Sequence, residues 1–337
     1  MSTDTTATAA TSGDRDPTAG SLGPGTLMGT GLPRQGFRAY VKERRAGTGT
    51  ATGDDGPAPY AHPTDSAILR TLGATGWRFY LDDLINAYQR VFQGIFLRDS
   101  VWASPTQFPD AHRLLALAAE RLTIPIPRLL LGSYAGDLIA FTTGADRDCY
   151  IYASALMLRE YSPDEMLFVL GHECGHIHNH HVTYDTLAFM LYYNTIFKVL
   201  WRIPSYTLFL AARIPLQTWS RRAEVTADRA GLLCCQDIEV ARRALIKLRL
   251  GFDSFAKQVN VEEYLKQERE LRRESFAVRW QEMFYTHPVI TKRVRALELF
   301  ARSELYYDLS GLPRPRNTPL LDRETLERET REIVKVI

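Results

Sequence analysis

The pentapeptide His172-Glu173-Cys174-Gly175-His176 constrains this chain more than any other stretch. Two histidines at positions i and i+4 share one face of an α-helix, about one turn apart, so both imidazoles can reach a single metal ion. The helix start is marked in the sequence: Ser162 is a candidate N-cap, Pro163 suits the first helical position, and Glu165 completes a capping box. The two histidines therefore fall well inside the helix. Glu173 lies about 100° round from His172, away from joint ligation but able to take a proton from a water at the metal, as a general base does. Standing alone, the pentapeptide is equally well explained as a chance sequence in a buried helix.

A zinc ion in a hydrolytic site takes three protein ligands and keeps one position open, so a third ligand must come from elsewhere. A glycine three residues and a histidine six residues beyond His176 would signal one family of zinc sites, but Asn179 and Val182 occupy those positions. His178, His180 and His181 follow closely, yet His180 lies about 12 Å along the axis from His172, too far for bonds of about 2.1 Å. These three read as surface or helix-end histidines. Glu224 is the better candidate, on a helical segment of about Trp219 to Cys234 in which Ala223, Ala227, Ala230 and Gly231 permit close approach of another helix. Asp228, one turn on, can accept the second ring N–H of a ligand histidine. The bland alternative pairs Glu224 and Asp228 with Arg221, Arg222 or Arg229 on a solvated face. Further on, His287 could donate a hydrogen bond to an oxyanion, or could be an ordinary histidine where a helix starts near Pro288.

Three ordered motifs, His172 to His176, Glu224 to Asp228 and His287 to Arg293, resemble those of the HtpX and CAAX prenyl protease type of gluzincin metallopeptidase. The resemblance covers about residues 60–305. It implies a zinc-dependent endopeptidase holding one Zn2+ by His172, His176 and Glu224, with Glu173 as general base and Asp228, His287 and Arg293 in support. Its expected fold is α+β, a predominantly helical zincin-like metallopeptidase with a small antiparallel sheet beside the active-site helix. Where that family usually has Asn-Ala-Phe, this chain has Leu138-Ile139-Ala140-Phe141. The resemblance suggests an extended polypeptide substrate adding to the sheet, and Ala140, Phe141, Tyr150 and Tyr152 are the candidate contacts.

Length and composition agree with a globular protein. The 337 residues, 45% hydrophobic and 24% charged with net charge +2, can bury an ordinary core and make no case for nucleic acid. Cys149, Cys174, Cys234 and Cys235 do not form a secreted disulfide pattern, and no basic, apolar signal opens the chain, so a reducing cytoplasmic setting is expected. Residues 1–58 read as a disordered low-complexity tail, 59–310 as the catalytic domain, and 311–337 as a linker and short charged helix. Helices are expected over Thr71 to Arg98, Asp110 to Leu122 and Val261 to Phe284, and three strands over Arg128 to Gly132, Leu138 to Thr142 and Asp148 to Ser154.

Residues 186–220 lack acidic side chains, but Lys198, Arg202, Arg213, Pro204 and Pro215 interrupt them. The uncharged runs fall short of the roughly 18–20 residues needed to span a bilayer. A buried hairpin is the favoured reading, with peripheral membrane contact as the alternative. A protein that keeps zinc for stability and holds a peptide without cutting it is the competing function, against which the intact Glu173 argues. Substrate identity and oligomeric state are not encoded in any motif.

Overall fold

The structure is a computed structural model describing residues 58–63, 85, 98–133, 138–145, 148–186, 206–274 and 288–335. The expected tail before residue 58, most of the helix over 71–98, residues 187–205, the end of the helix over 261–284, and His287 lie outside the described residues. In chain order come β1 (Ser100–Trp102), α1 (Pro109–Leu122), β2 (Arg128–Gly132), β3 (Ala140–Ala145) and β4 (Asp148–Ser154). The helices α2 (Met157–Glu160), α3 (Pro163–His178), α4 (Tyr206–Cys235), α5 (Ile238–Leu250) and α6 (Asp253–Ala256) follow. The described elements end with α7 (Val261–Glu274), α8 (Ile290–Ala301), α9 (Glu304–Ser310) and α10 (Arg323–Val334).

The fold is α+β, but the sheet differs from the expected three antiparallel strands. It has four strands in the order β1-β2-β4-β3. β2 and β4 are parallel, while β1 with β2 and β3 with β4 are antiparallel. Turn residues between apolar runs read as a meander in sequence, yet β4 inserts between β2 and β3 and leaves β3 at the edge. β3 itself covers Ala140–Ala145 rather than starting at Leu138.

One face of the sheet and helices α1, α3, α4, α5 and α8 share a single apolar core that includes Leu115, Leu131, Ile151, Leu170, Leu233, Leu245 and Leu297. The start of α3 is built as the sequence implies: Ser162 Oγ accepts from Glu165 N at 3.3 Å, and Glu165 Oε2 accepts from Ser162 N at 2.8 Å. Lys247 of α5 also meets Glu165 Oε2, at 2.7 Å, which neutralises a buried carboxylate. α4 begins at Tyr206, well before the expected Trp219, and runs on through Pro215. Proline disfavours a helix interior, which is why the sequence boundary fell too late.

Glycines set the separation of α3 and α4. A Cβ added at Gly175 would lie 2.6 Å from Ala230 Cβ and 3.1 Å from Ala227 Cα, and one at Gly171 would lie 2.6 Å from Cys234 Cβ. These are backbone-borne atoms that cannot swing aside. Gly175→Ala would gain up to about 1 kcal/mol of helix propensity, but overpacking of a tight core costs about 1–3 kcal/mol. A net loss of stability is therefore expected by thermal unfolding, with part of it recovered in Gly175→Ala/Ala230→Gly. A stabilised single variant would contradict the close packing of α3 on α4.

The two ends of the described chain are tied to the same helices. Arg229 of α4, fully buried, donates to Tyr60 O at 3.1 Å and pairs with Glu327 of α10 at 2.8 Å. Leu326, Thr330 and Val334 line the buried face of α10. No helix among the described residues is long and apolar enough to cross a membrane.

Candidate metal centre

α3 presents His172 and His176 on one face, and α4 brings Glu224 against them; all three are buried. The two Nε2 atoms are 3.2 Å apart, and Glu224 carboxylate oxygens lie 3.7 Å from His172 Nε2 and 3.5 Å from His176 Nε2. Zinc–ligand bonds of about 2.0–2.2 Å in a tetrahedral arrangement separate the donors by roughly 3.3–3.6 Å. The three separations, with Glu224 using Oε2 toward His172 and Oε1 toward His176, bracket that range to within about 0.1 Å.

The protonation pattern gives a second test of fit. His172 Nδ1 lies 3.0 Å from Asp228 Oδ1, and His176 Nδ1 lies 3.0 Å from Asp185 Oδ2. A neutral imidazole facing a carboxylate carries its proton on the facing nitrogen. Both Nε2 lone pairs then point at each other and at the Glu224 carboxylate. With both rings neutral, three acceptors converge in one buried place, a donor set that suits a divalent metal such as zinc.

Arg293 of α8 supports this centre from behind. Its Nε and Nη2 grip Asp228 at 2.8 and 2.6 Å, and Nη1 reaches Glu224 Oε2 at 2.9 Å. Burial acts to raise the Asp228 carboxyl, yet the Arg293 guanidinium and the His172 hydrogen bond hold it below the usual carboxylate value. Burial likewise acts to lower His176, but the Asp185 and Glu224 carboxylates raise it well above an ordinary imidazole. Arg221, Arg222 and Arg229 are thus not needed to explain Glu224 and Asp228.

Glu173 is buried and points to the sheet side, where Thr142 Oγ1 of β3 donates to its Oε2 at 2.7 Å. Nothing in the sequence distinguished Thr142, since one hydroxyl in a strand has no motif. Asp185 was missed for a related reason: it is a lone carboxylate beyond the end of α3, just before the apolar segment 186–220, and belongs to no motif. Of the histidines expected at the surface or at a helix end, His178 is the last residue of α3, and both it and His181 are buried, which corrects the surface reading for these two. His178 Nδ1 meets Tyr60 OH at 2.7 Å, and His181 Nδ1 lies 3.2 Å from His176 Nδ1.

The four sheet residues expected to contact substrate divide between the faces. Thr142 pairs with Ile151, which belongs to the main core on the α3 side. Side chains alternate along a strand, so Phe141, Tyr150 and Tyr152 project from the opposite face. There Tyr150 and Tyr152 pack with Leu130, and Phe141 stacks on Tyr152 at 5.2 Å. They line the back of the sheet and not the metal side. Ala140 is partly buried against the main core.

An α+β fold carrying a two-histidine, one-glutamate centre on paired helices defines the class of protein. The model of peptidase family M48 matches residues 105–301, more than half of the chain, and the chain belongs to that family. It is 30% identical over 218 residues to the plastoglobule-localized metallopeptidase 48, chloroplastic, of Arabidopsis thaliana, covering 62% of each chain. It is 28% identical over 222 residues to a protease HtpX homolog of Persephonella marina (strain DSM 14350 / EX-H1), covering 58% of this chain and 75% of that relative. The chain therefore spans less than two thirds of the plant relative's length.

Proposed function

We propose that this chain is a zinc-dependent endopeptidase in which His172, His176 and Glu224 hold one zinc ion and Glu173 is the general base. The observation that carries this reading is the convergence of three metal-donor atoms beside a buried carboxylate that is not spent on ligation. A zinc ion held there supplies Lewis acidity and lowers the pKa of water to about 7. Glu173 takes a proton at its carboxylate and returns it to the leaving amine. Thr142 restrains that carboxylate through Oε2, and Asp228 and Arg293 fix the His172 ring. His287 is retained as a proposed donor to the developing oxyanion.

The substrate is proposed to be an extended polypeptide lying along the outer edge of β3. Gly144 N donates to Thr186 Oγ1 at 3.2 Å, and Thr186 Oγ1 donates to Gly144 O at 3.1 Å, so the main chain of Gly144 faces outward. Ile139 O instead accepts from Ser154 N, at 2.7 Å, and faces β4. Outward and inward amides alternate along an antiparallel strand, which supports outward main chain at Ala140 and Thr142. These amides can pair with a peptide backbone whatever its side chains. Phe141, Tyr150 and Tyr152 then stiffen the strand from behind.

Glu224→Ala is expected to reduce bound zinc from one ion per chain to near zero after dialysis, read by elemental mass spectrometry. Unchanged zinc would remove Glu224 from the ligand set. Hydrolysis of a broad peptide library by the zinc-loaded chain, stopped by a chelator and restored by zinc, is the companion measurement. No cleavage by the loaded protein would overturn the peptidase reading.

A further inference from the structure

We infer that Asp185, oriented by Ser220 and backed by His181, is a positioning residue for the metal ligand His176, as Asp228 is for His172. This rests on the proposed ligand set. α3 ends at His178, and the chain reverses through Asn179 and His180, whose φ of 57° lies in the left-handed region. The reversal closes with His181 N donating to His176 O at 3.0 Å and Asp185 N donating to His181 O at 2.8 Å. Residues 182–186 are helical, so Asp185 returns to the level of His176.

Each oxygen of the Asp185 carboxylate then has a partner on a different helix. Oδ2 lies 3.0 Å from His176 Nδ1 on α3, and Oδ1 accepts from Ser220 Oγ of α4 at 3.1 Å. The carboxylate thus bridges the two helices that supply all three proposed ligands. His181 is fully buried, edge-on to Trp219 with ring centroids 5.5 Å apart, and its Nδ1 approaches His176 Nδ1 to 3.2 Å. The Nδ1 edge of the His176 imidazole is therefore held by both Asp185 and His181. The bond to Asp185 keeps the ring proton on Nδ1 and leaves the Nε2 lone pair for the metal, which raises ligand basicity and fixes ring orientation. A surface acid with a purely structural role would not require its second oxygen to be oriented by the other ligand-bearing helix.

The test is zinc affinity measured by competition with a chromophoric chelator, on the full chain and on Asp185→Ala and the isosteric Asp185→Asn. Loss of such a partner costs about 10–100-fold in metal affinity, so Asp185→Ala should weaken binding by that factor and Asp185→Asn by less. The metal-free Asp185→Asn protein should melt as the unsubstituted chain does, and its cobalt(II) form should show a shifted visible absorption as the His176 ligand field changes. Equal zinc affinity in all three proteins would overturn the inference while leaving the ligand set intact. So would an affinity loss matched by an equal loss of metal-free stability in Asp185→Asn. A second zinc equivalent that disappears in Asp185→Ala, with the first bound as before, would also overturn it, because His176, His181 and Asp185 would then be a metal site of their own. Absence of zinc binding by the unsubstituted chain would overturn both this inference and the ligand set.

Discussion

Replacing Glu173 by Gln is expected to lower peptide hydrolysis by about 10²–10⁴-fold, the range over which positioned acid–base groups contribute, with zinc content unchanged. The amide keeps the size of the carboxylate and can still accept the Thr142 hydroxyl through its oxygen, so the fold has no reason to shift. What it loses is the ability to take up a proton. Glu173 shares α3 with His172 and His176, but its Oε2 is held by Thr142 of β3 and it is not one of the three proposed donors, so removing its charge should leave the proposed ligands in place. Peptide cleavage and bound zinc measured on the same preparation separate the two roles. Retained cleavage would end the assignment of Glu173 as base, and lost zinc would move it among the ligands.

Arg293→Met should have the largest effect on stability. The guanidinium is buried and answers two carboxylates, Asp228 at 2.6 Å and Glu224 at 2.9 Å. Removing one partner of a buried pair leaves an uncompensated charge and costs about 3–5 kcal/mol. Chemical denaturation of the metal-free protein is expected to show that loss, and the zinc-loaded protein a smaller one, since the ion itself offsets the charge of Glu224. Arg293→Met/Asp228→Asn should recover part of the loss by neutralising the stranded carboxylate. If the double variant is less stable than the single one by the full cost of Asp228→Asn alone, the two residues do not act as a pair.

How much could be read without coordinates follows from how local each signal is. The capping box at Ser162 and Glu165 and the spacing of His172 and His176 lie within a few residues of one another, so short-range geometry suffices. The small residues of α4 marked a close helix contact because a missing Cβ is visible in sequence; Gly171 and Gly175 complete it from α3. Strand order has no such signature. Three apolar runs separated by turn residues are compatible with a meander, and only the packing of β4 between β2 and β3 made β2 and β4 parallel and put β3 at the edge. The same limit misplaced Tyr150 and Tyr152, whose alternation was legible while the identity of the buried faces was not.

The sequence by itself determined the donor types, the helix that carries two of them, and Glu224 as the third candidate, because each depends on residue chemistry and fixed helical spacing. The tertiary structure alone decided which polar groups hold that chemistry in place. Asp185 reaches His176 only after the chain reverses at His180, Thr142 reaches Glu173 only because β3 is the strand beside α3, and Arg293 reaches Asp228 and Glu224 from a helix distant in sequence. The physical reason is the same in all three: hydrogen bonds and ion pairs act over about 3 Å, a range on which sequence separation carries no information until the chain has folded.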